Sequence, residues 1–126
     1  MFIEMVRSKI HQARVTAADL NYEGSIGIDT DLLQQAGMLP YEKVLIADIE
    51  NGNRIETYII PAAAGSREIQ LNGAAARLVQ VGDRVIIMAF AYVPSPVPAN
   101  WQPRVLIMDD NNQIKQTLGD IITVTS

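Results

Sequence analysis

The run Asn21-Tyr22-Glu23-Gly24-Ser25-Ile26 holds the sharpest chemical possibility in this chain, a peptide bond that the protein could cut by itself. The hydroxyl of Ser25 sits close to the carbonyl of Gly24, and a glycine there removes the side chain that would crowd an attack on that carbon. Attack exchanges an amide for an ester. Elimination across the serine would leave a dehydroalanine, and its hydrolysis would leave a pyruvoyl group at position 25. Gly-Ser is also ordinary turn chemistry, and the chain has a second copy, Gly65-Ser66, so the dipeptide alone decides nothing.

Other residues could converge on position 25. Lys9 and His11 lie two apart, so on a strand they share one face of the sheet. After Asn51-Gly52, Arg54, Glu56 and Tyr58 share one face and Thr57 and Ile59 the other. An arginine can hold a carboxylate with two hydrogen bonds and a phenol can give up a proton, so Arg54 and Tyr58 suit an acidic substrate. Asn72-Gly73-Ala74-Ala75 sets an amide beside small residues at a helix start, where backbone N–H groups can face an anion. Each of these also reads as plain structure: a solvated strand face, an amphipathic strand, an Asn-Gly turn. Tyr22 and Trp101 read as packing aromatics as well as site residues.

Composition removes several classes of function. The 126 residues fit one domain, residues 1–126, with 48% hydrophobic and 19% charged residues, the balance of a globular protein. Net charge is -4 and the ten basic residues are scattered, which argues against nucleic acid as a partner. There is no cysteine, hence no disulfide or thiolate metal site. One histidine cannot build a metal cluster, and no Gly-x-Ser-x-Gly elbow is present. Charges at Glu4, Arg7 and Lys9 and the lack of a long apolar run speak against a secretory leader or a membrane span, and a cytoplasmic location is expected.

The elements that must position these groups are short. Residues 2–15 read as strands. Asp29 or Thr30 caps a short helix through Asp31, Leu32, Leu33 and Ala36, which Gly37 stops in a left-handed turn. Residues 43–50 and 54–60 read as strands of a hairpin joined at Asn51-Gly52. Residues 72–78 read as a turn into one or two helical turns, and 84–93 as a long apolar strand. Pro94, Pro96, Pro98 and Pro103 make a polyproline-like connector around Trp101. Two closing strands are expected at 104–108 and 121–124, separated by Asp109-Asp110-Asn111-Asn112. The sum is a mainly β, small mixed barrel.

Taken together and in order, Lys9-Ile10-His11, Val15-Thr16, Ala18-Asp19-Leu20, Tyr22-Glu23-Gly24-Ser25, Asn51-Gly52, Arg54, Thr57-Tyr58, Gly65-Ser66 and Asn72-Gly73-Ala74-Ala75-Ala76 resemble the pyruvoyl-dependent aspartate 1-decarboxylases. The resemblance implies a double-psi β-barrel, a homotetramer with active sites between subunits, and conversion of L-aspartate to β-alanine for pantothenate and coenzyme A synthesis. It implies self-cleavage between Gly24 and Ser25 into chains 1–24 and 25–126, with strain at Gly24 and the Thr57 hydroxyl supporting the oxyanion. It implies a covalent pyruvoyl cofactor at Ser25, able to form a Schiff base with aspartate, and neither metal nor pyridoxal phosphate. Lys9 and Arg54 would hold substrate carboxylate, with Thr57 lining the same pocket. Tyr58 would return the proton, and Asn72, Gly73, Ala74 and Ala75 would fix the substrate and the pyruvoyl oxygen. His11 and Tyr22 would support the site, Gly65-Ser66 would remain a turn, and a maturation helper protein is a possible partner.

Three positions depart from the family pattern: Asn21 and Arg77 stand where histidine is common, and Ala64 where arginine is frequent. None is a proposed catalytic group. The competing readings are an unprocessed, noncatalytic β-barrel binding module and a small DNA-binding barrel, the second opposed by the acidic charge.

Overall fold

Branched apolar residues alternate with polar ones over much of the chain, the pattern of strands with one buried face. In the computed structural model, which describes residues 1–122, these residues form nine strands: β1 (Phe2–Arg14), β2 (Ala17–Asp19), β3 (Ser25–Asp29), β4 (Lys43–Asp48), β5 (Arg54–Ala62), β6 (Ile69–Asn72), β7 (Arg84–Pro94), β8 (Arg104–Met108) and β9 (Ile114–Leu118). Helix α1 (Thr30–Ala36) and a 3-10 helix (Gly73–Leu78) complete the described elements. The strands pair in the order β2-β6-β3-β5-β4-β7-β1-β8-β9.

That order closes on itself. β1 and β2 are one chain path separated only by Val15 and Thr16, and Thr16 N donates to Ile69 O at 2.8 Å where β6 begins. β1 with β2, then β7, β4, β5, β3 and β6, thus form the staves of a barrel. The contacts of β2 with β6 and of β3 with β5 are parallel, whereas β3–β6, β4–β5, β4–β7 and β1–β7 are antiparallel. This is a mainly β barrel, the fold class expected. Its interior is filled by Ile10, Ile26, Ile28, Ile46, Ile59, Ile69, Leu71 and Ile87, all fully buried.

Helix α1 forms as its capping residues dictate. The Asp29 carboxylate accepts from Asp31 N at 2.8 Å, and Gly37 closes the helix at φ 72°. The same carboxylate accepts from Gly65 N and Arg67 N, so the Gly65-Ser66 pair is a turn pinned to the end of β3. At the far end, Ser8 Oγ donates to Ala36 O and Arg7 donates to Gly37 O while pairing with Glu42. These bonds occupy carbonyls that the last helical turn leaves open.

Several boundaries differ from expectation. β2, β3 and β6 arise where no strand was anticipated. The expected closing strand at 121–124 is replaced by β9: residues 121 and 122 are not in a strand, and 123–124 lie outside the described residues. The helical turns after Asn72 are 3-10 rather than α. Trp101, in the proline-rich connector, donates its indole N–H to Val6 O at 2.8 Å, where the β1–β7 register shifts between Val6 and Ser8. Among the described residues no helix is long and apolar enough to cross a membrane.

The β4–β5 hairpin turns as Asn51-Gly52 predicts, with Gly52 at φ 77°, but β4 ends at Asp48 rather than at residue 50. Asp48 Oδ1 accepts from Glu50 N at 2.8 Å and so makes its own local turn. Its Oδ2 is buried without a hydrogen-bond partner, and the loss of hydration there, with Asp83 alongside, pushes the Asp48 carboxyl up to about 6 from 3.8. Because the folded value lies above the unfolded one, this group stabilises the fold most below pH 4 and loses that contribution as pH rises toward 6. Asp48→Asn should therefore match the parent in urea unfolding at pH 4 and exceed it by on the order of 1–2 kcal/mol at pH 7.5. Equal stability at both pH values would contradict this account.

Candidate active site

Ser25 opens β3 and is fully buried. β3 runs between β5 and β6, and its ladder with β6 places Ser25 directly opposite Asn72. The Ser25 hydroxyl donates to Glu23 O at 2.9 Å and its oxygen accepts from Asn72 Nδ2 at 3.0 Å. Asn72 Oδ1 in turn accepts from Gln70 Nε2 at 2.8 Å. Asn72 stands at the N-cap of the 3-10 helix yet makes no side-chain capping bond, the usual use of an asparagine there. Its amide is turned to Ser25 instead.

The close approach that needs a glycine is at position 73. Gly73 has φ +67°, and a Cβ on it would lie 2.8 Å from both Cα and N of Gly24 and 3.0 Å from Tyr22 O. The 22–24 segment therefore rests on the backbone of Gly73. At Gly24 a Cβ would meet nothing within 4 Å outside its two chain neighbours, and its φ is not positive. Gly24 is exposed on the outer side of the contact and Gly73 is buried beneath it.

Register brings Thr57 and Tyr58 alongside. The parallel β3–β5 ladder begins at Ile26 and Ile59, so Thr57-Tyr58 precede it on β5 as Gly24-Ser25 precede it on β3. Tyr58 shares the outward face of β5 with Arg54 and Glu56, while Thr57 follows Ile59 inward. The Tyr58 ring stacks on Tyr41, centroids 6.3 Å apart. Glu56 is paired with Lys43 at 2.8 Å, which offsets its charge, whereas Arg54 makes no ion pair among the described residues.

Lys9 and His11 share a face. Lys9 continues across β7, β4 and β5 through Met88, Leu45 and Glu56, and His11 through Ile86, Ala47 and Arg54. These rows place Lys9, His11, Arg54 and Tyr58 on one outward sheet face. Burial and the neighbouring Lys9 charge lower the His11 pKa, so its imidazole is neutral at physiological pH. Along this sheet β1 is four strand steps from β3 in one direction, and it reaches β6, the other neighbour of β3, through the β1–β2 path. No hydrogen bond among the described residues joins Lys9, His11 or Arg54 to Ser25 or Asn72.

One chain thus holds two clusters. Ser25, Asn72, Gly73 and Ala75 are buried at the β3–β6 edge with Ala74 exposed beside them, and Tyr22, half-exposed, contributes its carbonyl to the Gly73 contact. Lys9, His11 and Arg54 form the other, and Tyr58, on their face, stands in register with Ser25 where β5 meets β3. Asn21, Ala64 and Arg77 are exposed and belong to neither. The residue that sequence reasoning missed is Gln70; its spacing of two from Asn72 on β6 was the available signal.

A family model described as aspartate decarboxylase matches residues 1–115. The chain is similar to proteins named aspartate 1-decarboxylase. That of Coprothermobacter proteolyticus is 55% identical over 116 residues, covering 92% of this chain and 95% of that one. That of Thermosipho africanus is 58% identical over 110 residues, 87% and 90% of the two chains, and that of Bacillus subtilis 52% over 120, 95% and 94%. The crystal structure of a computationally designed protein, msDPBB_sym2, matches with a TM-score of 0.43 and 19% identity over 69% of this chain and 99% of that one.

Gly73→Ala is expected to destabilise the chain by about 2–4 kcal/mol, the sum of a left-handed backbone carrying a Cβ and its clash with residues 22–24. An unchanged urea midpoint would show that the 22–24 segment can lift away without cost.

Proposed function

The chain belongs to the aspartate decarboxylase family, and we propose that it cuts its own Gly24-Ser25 bond and keeps the resulting pyruvoyl group at position 25 as its cofactor. It is a carboxy-lyase that takes the α-carboxylate from L-aspartate as CO2 and leaves β-alanine. The observation that carries the processing step is the Ser25 hydroxyl, held in a buried site between the Glu23 carbonyl and the Asn72 amide.

Self-cleavage needs no second reactant until its last step. Ser25 Oγ attacks the Gly24 carbonyl carbon, a C–O bond forms, the C–N bond breaks, and the hydroxyl proton passes to nitrogen. Orientation of this kind can supply roughly 7–11 kcal/mol of a barrier. The Asn72 N–H supports charge as it grows on Oγ, and Thr57 is the residue we assign to the carbonyl oxygen as it becomes an oxyanion. Loss of the Cα proton of residue 25 and rupture of its Cβ–O bond release Gly24 as the carboxylate end of chain 1–24. Water then displaces nitrogen as ammonia, leaving the ketone at the head of chain 25–126.

The site suits such a group. It is buried, walled by small residues at Gly73 and Ala75, and keeps one amide donor, Asn72 Nδ2, aimed at residue 25. When present, the ketone takes up the substrate amino group and draws in the electron pair that CO2 leaves behind. Arg54 and Lys9 hold the two carboxylates, and Tyr58 returns a proton to the carbon that has lost CO2, a role worth on the order of a hundred- to ten-thousand-fold. His11, neutral, orders the same pocket.

The two clusters meet between copies. Because no hydrogen bond among the described residues joins Lys9, His11 or Arg54 to Ser25 or Asn72, we infer that a second subunit brings these side chains to the β3–β6 edge. Exposed Leu39, Tyr41 and Tyr92 supply apolar area for such a contact. A homotetramer with sites between subunits satisfies this geometry. We place the single-domain protein in the cytoplasm, feeding pantothenate and coenzyme A synthesis, with a maturation helper as a possible partner.

Intact-mass spectrometry of aged protein should give fragments of 1–24 and 25–126, the larger with a ketone terminus. Ser25→Ala should remain full-length, and Tyr58→Phe should be cut yet lose a hundredfold or more in turnover. A wild-type chain that stays whole and inactive would sink the reading. Lys9→Ala and Ser25→Ala chains, each inactive alone, should regain about one quarter of wild-type activity when refolded as a mixture. No recovery would place each site within one chain.

A further inference from the structure

We propose that Gln70 is a positioning residue for self-cleavage: its amide sets which end of the Asn72 carboxamide faces Ser25. This rests on the processing reaction proposed above. The Asn72 side chain has two ends of nearly equal shape, an NH2 that only donates and an oxygen that only accepts. Facing Ser25, they have opposite effects. The Ser25 hydroxyl gives its proton to Glu23 O at 2.9 Å, which leaves its oxygen ready to accept, and Asn72 Nδ2 fills that place at 3.0 Å. Were Asn72 reversed, its oxygen would compete with Glu23 for the serine proton and leave the growing charge on Oγ without a donor.

What fixes the orientation is the second hydrogen bond on Asn72. Gln70 Nε2 donates to Asn72 Oδ1 at 2.8 Å, so the carbonyl end is held away from Ser25 and the NH2 end toward it. The backbone makes room for this contact. Gln70 and Asn72 lie two apart on β6 and share a face, and the residues paired with Gln70 are both small, Gly27 on β3 and Ala17 on β2. A Cβ on Gly27 would come within 3.7 Å of Gln70 Cβ and 3.1 Å of Glu68 Oε2. The glutamine stem can therefore fold along the strand to its neighbour. Gln70 has no hydrogen bond to Ser25, so any effect it has on cleavage passes through Asn72.

The test is the rate of cleavage of freshly refolded chain, followed by intact mass, in Gln70→Met and Gln70→Glu. Methionine keeps the stem but frees Asn72 to turn, and cleavage should slow by roughly 3- to 10-fold. Glutamate, an acceptor at the same length, draws the Asn72 NH2 to itself, and cleavage should slow by roughly 10- to 100-fold. Thermal midpoints within about 4 °C of the parent should accompany both; if either variant folds poorly, Gln70→Ala serves in its place. In an Asn72→Ala background, Gln70→Met should change the cleavage rate by less than about twofold, because the residue it acts through is gone. Parental rates in Gln70→Met, or an equal slowing with and without Asn72, would overturn the role of Gln70. A wild-type chain that never cleaves would instead refute the processing reaction itself.

Discussion

The register of one five-residue strand governs the site. β3 is buried at every position from Ser25 to Asp29, and it is bonded on one side to β5 in parallel and on the other to β6 antiparallel. A strand covered on both faces and both edges cannot slip without exposing Ile26 and Ile28 and breaking two ladders. Its first residue is therefore fixed against Asn72, and its last, Asp29, against the start of α1 and the Gly65-Ser66 turn. The nucleophile and the helix cap are two ends of the same constraint.

Closure of the barrel by β1 and β2 has a functional cost and a functional use. Running one chain path along β7 and then along β6 seals the core and leaves Lys9 and His11 on the outward face of the β7 side, with no hydrogen bond to Ser25 among the described residues. That face is half apolar, through Met88, Leu45 and Ile86, and half cationic. Such a surface is poorly placed to face water alone and well suited to lie against a second copy. The separation of the clusters and the apolar face thus point to the same arrangement.

Much of this was legible from alternation and turn chemistry. The shared faces of Lys9 with His11 and of Arg54 with Tyr58, the Asp29 cap, the Gly37 stop and the Asn51-Gly52 hairpin all follow from local rules, and all are present. Short strands were not legible. β2, β3 and β6 hold three to five residues each, too few for a period, and β3 is buried at every residue, so it shows no alternation. The need for glycine at 73 depends on which of two distant segments lies beneath the other, and no local pattern encodes that. Gln70 escaped notice because its partner is another amide and its meaning appears only when β6 is laid beside Ser25.

Charge placement explains how an acidic protein can hold a dicarboxylate. The net charge is -4, yet on the outward face Glu56 is neutralised by Lys43, and among the described residues neither Lys9 nor Arg54 has a carboxylate partner. His11, kept neutral by burial and by the Lys9 charge, adds a hydrogen-bonding group without a third cation. The proposed attack by Ser25 would be helped by an environment where charge growing on Oγ is met by fixed N–H dipoles rather than by mobile charge. Asn72 supplies such a dipole at the β3–β6 edge, while the cations Lys9 and Arg54 sit on β1 and β5. On the proposed reading, holding Asn72 and the cations on different strands separates the electrostatics of making the cofactor from those of binding its substrate.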